Sequence, residues 1–64
     1  MVLEFDIDET AEEVTILVDN SLTLTVEKLE DNSFRYKNFS KLVNEVDDPA
    51  VVDKIKRFAA SMIS

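Results

Sequence analysis

The sequence predicts an α+β fold, an antiparallel meander of three to four strands covered on one face by a short helix and a longer C-terminal one. Three observations carry that expectation. Apolar and polar residues alternate in separate stretches up to residue 37, the period of a strand with one buried side. After Asn38 the apolar spacing changes to three and four, the period of an amphipathic helix. The tripeptide Asp-Asn-Ser stands at 19–21 and again at 31–33, in each case between alternating stretches, where turns belong.

The first strand covers about residues 2–8. Leu3, Phe5 and Ile7 fall on one side and Glu4, Asp6 and Asp8 on the other. Thr10 and Glu13 have the spacing of a helix capping box, but the β-branched run that follows favours a second strand over 13–18. A third strand spans 22–29, with Leu22, Leu24 and Val26 alternating against Thr23, Thr25 and Glu27. A fourth, 33–37, sets Phe34 and Tyr36 against Arg35 and Lys37.

The alternation also fixes a register. Pairing Val18 with Leu22 brings Ile16 to Leu24 and Val14 to Val26, so the apolar set shares one face; a slip of one residue would scatter it. Pairing Val26 with Tyr36 sets Lys28 by Phe34 and Glu27 by Arg35, a cross-strand pair of opposite charge. The loops are then Asp19-Asn20-Ser21 and Glu30-Asp31-Asn32. Three-residue loops want a left-handed residue in last place, which suits Asn32 and suits Ser21 less. The same register buries Phe34 and Tyr36 and sends Val2, Leu17 and Leu29 to the outward face.

Phe39, Leu42, Val43 and Val46 outline a short helix, 39–46. Asp48 and Pro49 then form a cap and first helical residue, opening a helix over 49–63. Its apolar stripe is Val51, Val52, Ile55, Phe58, Ala59, Met62 and Ile63.

Sixty-four residues make at most one domain, residues 1–64. So short a chain has a marginal core, and self-association as a homodimer is a natural way to bury more surface. Without Cys there is neither a disulfide nor a thiolate zinc site, and with no His the commonest general base is also missing. The lack of Gly excludes phosphate-cradling loops and dinucleotide fingerprints. Asp6 and Asp8 share a face and could hold a divalent cation, but the blander reading is a solvated strand whose acids discourage edge pairing. Around Asp31 an EF-hand frame fails, because position 42 is Leu where the frame needs Glu. The expectation is therefore no enzyme, no cofactor and no metal. The first ten residues carry four acids and no base, unlike a secretory signal, and no apolar run could cross a bilayer; a cytoplasmic location without membrane contact is expected.

Charge gives the one pointer to function. The net charge is −7, with residues 1–31 holding ten acids against Lys28 and residues 32–64 carrying +2. Glu4, Asp6 and Asp8 project from the first strand, and Glu9, Glu12 and Glu13 extend the patch. Such a field steers association with a basic partner, which could be a protein's nucleic-acid-binding groove. The chain is thus expected to be a small acidic protein-protein interaction module. It would act by stoichiometric binding as an inhibitor or modulator of a host protein, as viral and mobile-element proteins of this size do. Glu4, Asp6, Asp8, Glu12 and Glu13 would supply attraction, and Leu17 and Leu29 apolar anchoring. The alternatives are a nucleic-acid-binding regulator using Arg35, Lys37, Lys41, Lys54 and Arg57, disfavoured by the net charge, and a structural homo-oligomer.

Overall fold

The computed structural model describes residues 1–64. Four strands, β1 (Leu3–Asp8), β2 (Glu13–Val18), β3 (Leu22–Lys28) and β4 (Phe34–Lys37), form one antiparallel sheet in the order β1-β2-β3-β4. Helices α1 (Phe39–Val46) and α2 (Pro49–Ile63) follow. This is the α+β meander that the alternation predicts. Strands one, three and four fall one residue short of the expected limits. The ladder itself runs on: Val2 still exchanges hydrogen bonds with Asp19, and Leu29 donates its N–H to Ser33 at 2.8 Å.

The register is also as expected. Val18 faces Leu22, Ile16 faces Leu24, Val14 faces Val26, and Glu27 faces Arg35. On the other side of β2, Leu3, Phe5 and Ile7 meet Val18, Ile16 and Val14, so β1 adds its apolar residues to the same face.

The first loop departs in detail. Asp19 (φ 50°) and Asn20 (φ 58°) are left-handed, not Ser21. Ser21 instead donates its N–H to Val18 C=O at 3.0 Å and closes the turn. Asp and Asn tolerate positive φ because their short polar side chains bond locally, which Ser does more weakly. Asn32, at φ 68°, is left-handed as its position requires.

Local chemistry ends and restarts the helices. Asp47 (φ 52°) donates its N–H to Val43 C=O and stops α1. Extended Asp48 then accepts the Ala50 N–H on its side chain at 3.1 Å, with Pro49 opening α2.

The core consists of Val14, Ile16, Val18, Leu24, Val26, Phe39, Leu42, Val52, Ile55 and Ala59. All its sheet residues come from the two central strands. Leu3, Phe5 and Phe34, on the outer strands, are only half-buried. Four residues expected on buried faces lie at the rim instead: Tyr36 is 39% exposed, Val43 44%, Ile7 45% and Phe58 54%. The cause is breadth. A helix and a half covers two strands, and the apolar stripes are wider than the contact they make.

Candidate functional site

The sheet face opposite the helices is bare, and the register arranges its side chains in rows across the strands. Glu4, Leu17 and Thr23 form one row. The next is Asp6, Thr15, Thr25 and Lys37, and the third is Asp8, Glu13, Glu27 and Arg35. Charge therefore grades across the face, from acids on β1 to bases on β4.

Ion pairs separate the spent charges from the free ones. Glu27 is half-buried and takes both Arg35 (3.1 Å) and Lys37 (3.7 Å). Glu12 reaches Lys28 at 3.8 Å, and Asp53 holds Arg57 at 2.9 Å one helical turn away. Glu4, Asp6, Asp8, Glu9 and Glu13 have no basic partner in the chain. Asp8 and Glu13 stand directly opposite each other, as do Glu13 and Glu27. Like charges in those positions cost stability.

Lys28, the lone base of the first 31 residues, faces the helix side opposite Phe34. It lines a hollow with Glu9, Glu12 and the end of α2, Met62 to Ser64. Its ammonium pairs with Glu12 and with no carboxylate of β1.

Of the residues that the sequence singles out, Glu4, Asp6 and Leu17 come together. With Phe5, Thr15 and Thr23 they line a shallow depression of 480 Å³ on the bare face. Asp8 and Glu13 continue the acidic strip past its end. Glu12 sits apart at the turn, left-handed (φ 53°) and tied to Lys28. Leu29 is half-buried at the far end of β3. Leu17 faces Thr23, six residues back along β3, so the two leucines are ~20 Å apart by strand rise and do not form one anchor.

Three Asp or Glu side chains converge nowhere in a way that could hold a metal ion. No helix is long and apolar enough to cross a membrane.

Two features escape the sequence reading. Phe58 turns its ring edge-on to Phe5 with centroids 5.2 Å apart, and Ile7, next on the same face of β1, is 45% exposed. An apolar strip thus borders β1 on the helix side. At the opposite edge, Lys56 lies 5.1 Å from the Tyr36 ring centre, and Phe39 meets the same ring edge-on. The i, i+3 pattern correctly puts Phe58 on the apolar stripe, but no periodicity reveals how far across the sheet a helix reaches.

No protein-family model, curated protein or solved structure matches the chain.

Proposed function

We infer that the chain is a small acidic binding module, not an enzyme, acting by stoichiometric association with a protein that presents a basic surface. One observation carries the reading: Glu4, Asp6, Asp8 and Glu13 form a continuous strip of carboxylates with no base inside the chain to neutralise them. Free carboxylates with the same orientation raise the encounter rate with a cationic partner and favour its complementary face over others. The like-charge pairs along that strip lower stability, a cost that a merely solubilising surface avoids by interspersing bases. In this reading the acids steer and Leu17 gives an apolar contact at the floor of the depression. Glu12 and Leu29 lie at the rim, outside the principal contact. An inhibitor or modulator of a nucleic-acid-binding protein, occupying its basic groove as a phosphate-backbone mimic, is the role this surface suits best. Chains of viral or mobile-element type commonly work so, and the cytoplasm is the compartment we propose for it.

The test is affinity capture from the native host with the wild-type chain and with a Glu4→Lys, Asp6→Lys, Asp8→Lys variant. The reading expects one or more basic proteins to be retained by the first and lost by the second. Recovery of the same proteins in the same yield would leave the acids merely solvated.

One observation favours the nucleic-acid alternative, the exposure of Tyr36 among Arg35, Lys37 and Lys56, since an accessible aromatic can stack a base. Arg35 and Lys37 are already held by Glu27, and Lys56 covers the ring. Tight binding of a single strand at moderate salt, weakened by Lys54→Glu with Arg57→Glu, would establish that alternative in place of the first.

A further inference from the structure

The backbone of β1 carries information beyond its charge. Val2 donates its N–H to Asp19 Oδ1 at 2.7 Å, and its C=O accepts the Asp19 N–H at 2.8 Å, so both groups point toward β2. In an antiparallel ladder the N–H and C=O of one residue point the same way, and those of the next point the other way. Glu4, Asp6 and Asp8 therefore bond β2. Leu3, Phe5 and Ile7 turn their N–H and C=O groups to the outside, where β1 has no neighbouring strand. No turn or side-chain hydrogen bond reaches those three residues. Edge strands are commonly guarded by charges, Pro or a bulge; β1 has no Pro and no bulge, and its only guards, Glu4, Asp6 and Asp8, repel an acidic strand but attract a basic one.

The two sides of this edge differ. On the bare face lie the unpaired carboxylates of Glu4, Asp6 and Asp8. On the helix side lie Ile7 and Phe58, both exposed, and the half-buried Phe5, which shares the face of Ile7 and meets the Phe58 ring edge-on. The edge thus offers a row of backbone bonds with acids along one side and apolar surface along the other.

We propose that β1 is a strand-addition site for an extended segment of the partner in which Lys or Arg alternates with apolar residues. The segment's main chain bonds Leu3, Phe5 and Ile7, its apolar side chains cover Ile7 and Phe58, and its bases meet Glu4, Asp6 and Asp8. This rests on the acidic-module reading and deepens it by naming the form of the ligand.

Charge selects a foreign basic strand over a second copy of this chain. Antiparallel pairing of two β1 strands would set carboxylate against carboxylate, and each copy carries −7. Pairing β1 with β4 of another copy would offer only the outward backbone groups of Phe34 and Tyr36, beside bases that Glu27 already holds.

The test is a titration of the ¹⁵N-labelled full chain at moderate salt, followed by NMR and by amide exchange. The probe is a short synthetic peptide in which Lys alternates with Val and Thr. One control replaces each Lys by Glu; another keeps every charge but carries N-methyl groups on the apolar residues, whose N–H groups would face β1. The proposal expects the amides of Leu3, Phe5 and Ile7 to shift and to slow in exchange. The Glu peptide should not bind, and N-methylation should weaken binding by about tenfold or more, given two to three lost backbone bonds. Equal affinity for the N-methylated peptide, or shifts centred elsewhere, would overturn strand addition. So would slow exchange at those three amides in the free chain together with a doubled mass, which would make the occupant a second copy. If no peptide binds while Glu4→Lys, Asp6→Lys, Asp8→Lys still abolishes host capture, strand addition fails and the acidic-module reading survives.

Discussion

Asp and Asn do the work of glycine in this chain. Six residues hold positive φ, and five of them, Asp19, Asn20, Asn32, Asn38 and Asp47, are of the two types that reach the left-handed region most readily. Replacing Asn32 by Ala should lower stability by about 1 kcal/mol, whereas Gly in the same place should not, as urea unfolding would show. Glu12 is the exception, held left-handed at φ 53° by a backbone bond from the Lys28 N–H to its C=O at 2.9 Å, which any residue could make, while its side chain adds only a 3.8 Å surface ion pair. Glu12→Gly should therefore raise stability by about 0.5 kcal/mol despite losing that pair. At the second hairpin, the Ser33 hydroxyl donates to the Asp31 carboxylate and holds its pKa below the ordinary aspartate value, helped by the Ser33 N–H. A lowered folded pKa gives stability that is complete above the unfolded value and is lost as pH falls through the folded one. Ser33→Ala should move the Asp31 titration back up, read by NMR, and flatten the acid side of the stability curve. At this scale the sequence was clear where residue type decides conformation, as at Asn32. At Ser21, which suits the left-handed region less, the two residues before it, Asp19 and Asn20, take that conformation instead.

Among the elements, the hairpins were legible because period two leaves a single register that gathers Val14, Ile16, Val18, Leu22, Leu24 and Val26 on one face. The helix boundaries were legible because Asp48 and Pro49 admit only one start. Asp48→Ala removes the acceptor of the Ala50 N–H and should cost about 1 kcal/mol, seen as a lower unfolding midpoint with an unchanged slope. Leu24 and Leu42 are fully buried, and truncating either to Ala should cost about 2–5 kcal/mol, enough to unfold much of so small a chain. Phe58→Ala should cost far less, since its ring is half in solvent and touches β1 from the side. That contrast is where sequence reading stops. Periodicity assigns Phe58, Val43 and Tyr36 to apolar faces but cannot say that α2 crosses the central strands and leaves the outer ones partly bare.

For the whole molecule, the division of charge along the chain becomes a division of charge across the sheet. A meander keeps neighbours in sequence adjacent in space, so the acidic first half lies on β1 and β2 and the basic residues follow on β4. This is why the acidic strip could be read from the sequence, while its pairing with an open edge and an apolar border could not: the edge depends on β1 pairing with β2 alone, and the border on where α2 ends its reach. Glu13→Thr removes the middle carboxylate between Asp8 and Glu27 and should raise stability by up to about 1 kcal/mol while weakening capture of a basic partner, separating what the strip costs from what it does. The claim on which all of this depends is that β1 is docked on β2 by one set of residues and open along the other. Amide hydrogen exchange of the free chain tests it most directly. The amides of Glu4, Asp6 and Asp8 should exchange slowly and those of Leu3, Phe5 and Ile7 fast, in strict alternation; uniform protection along β1, or none at all, would contradict it.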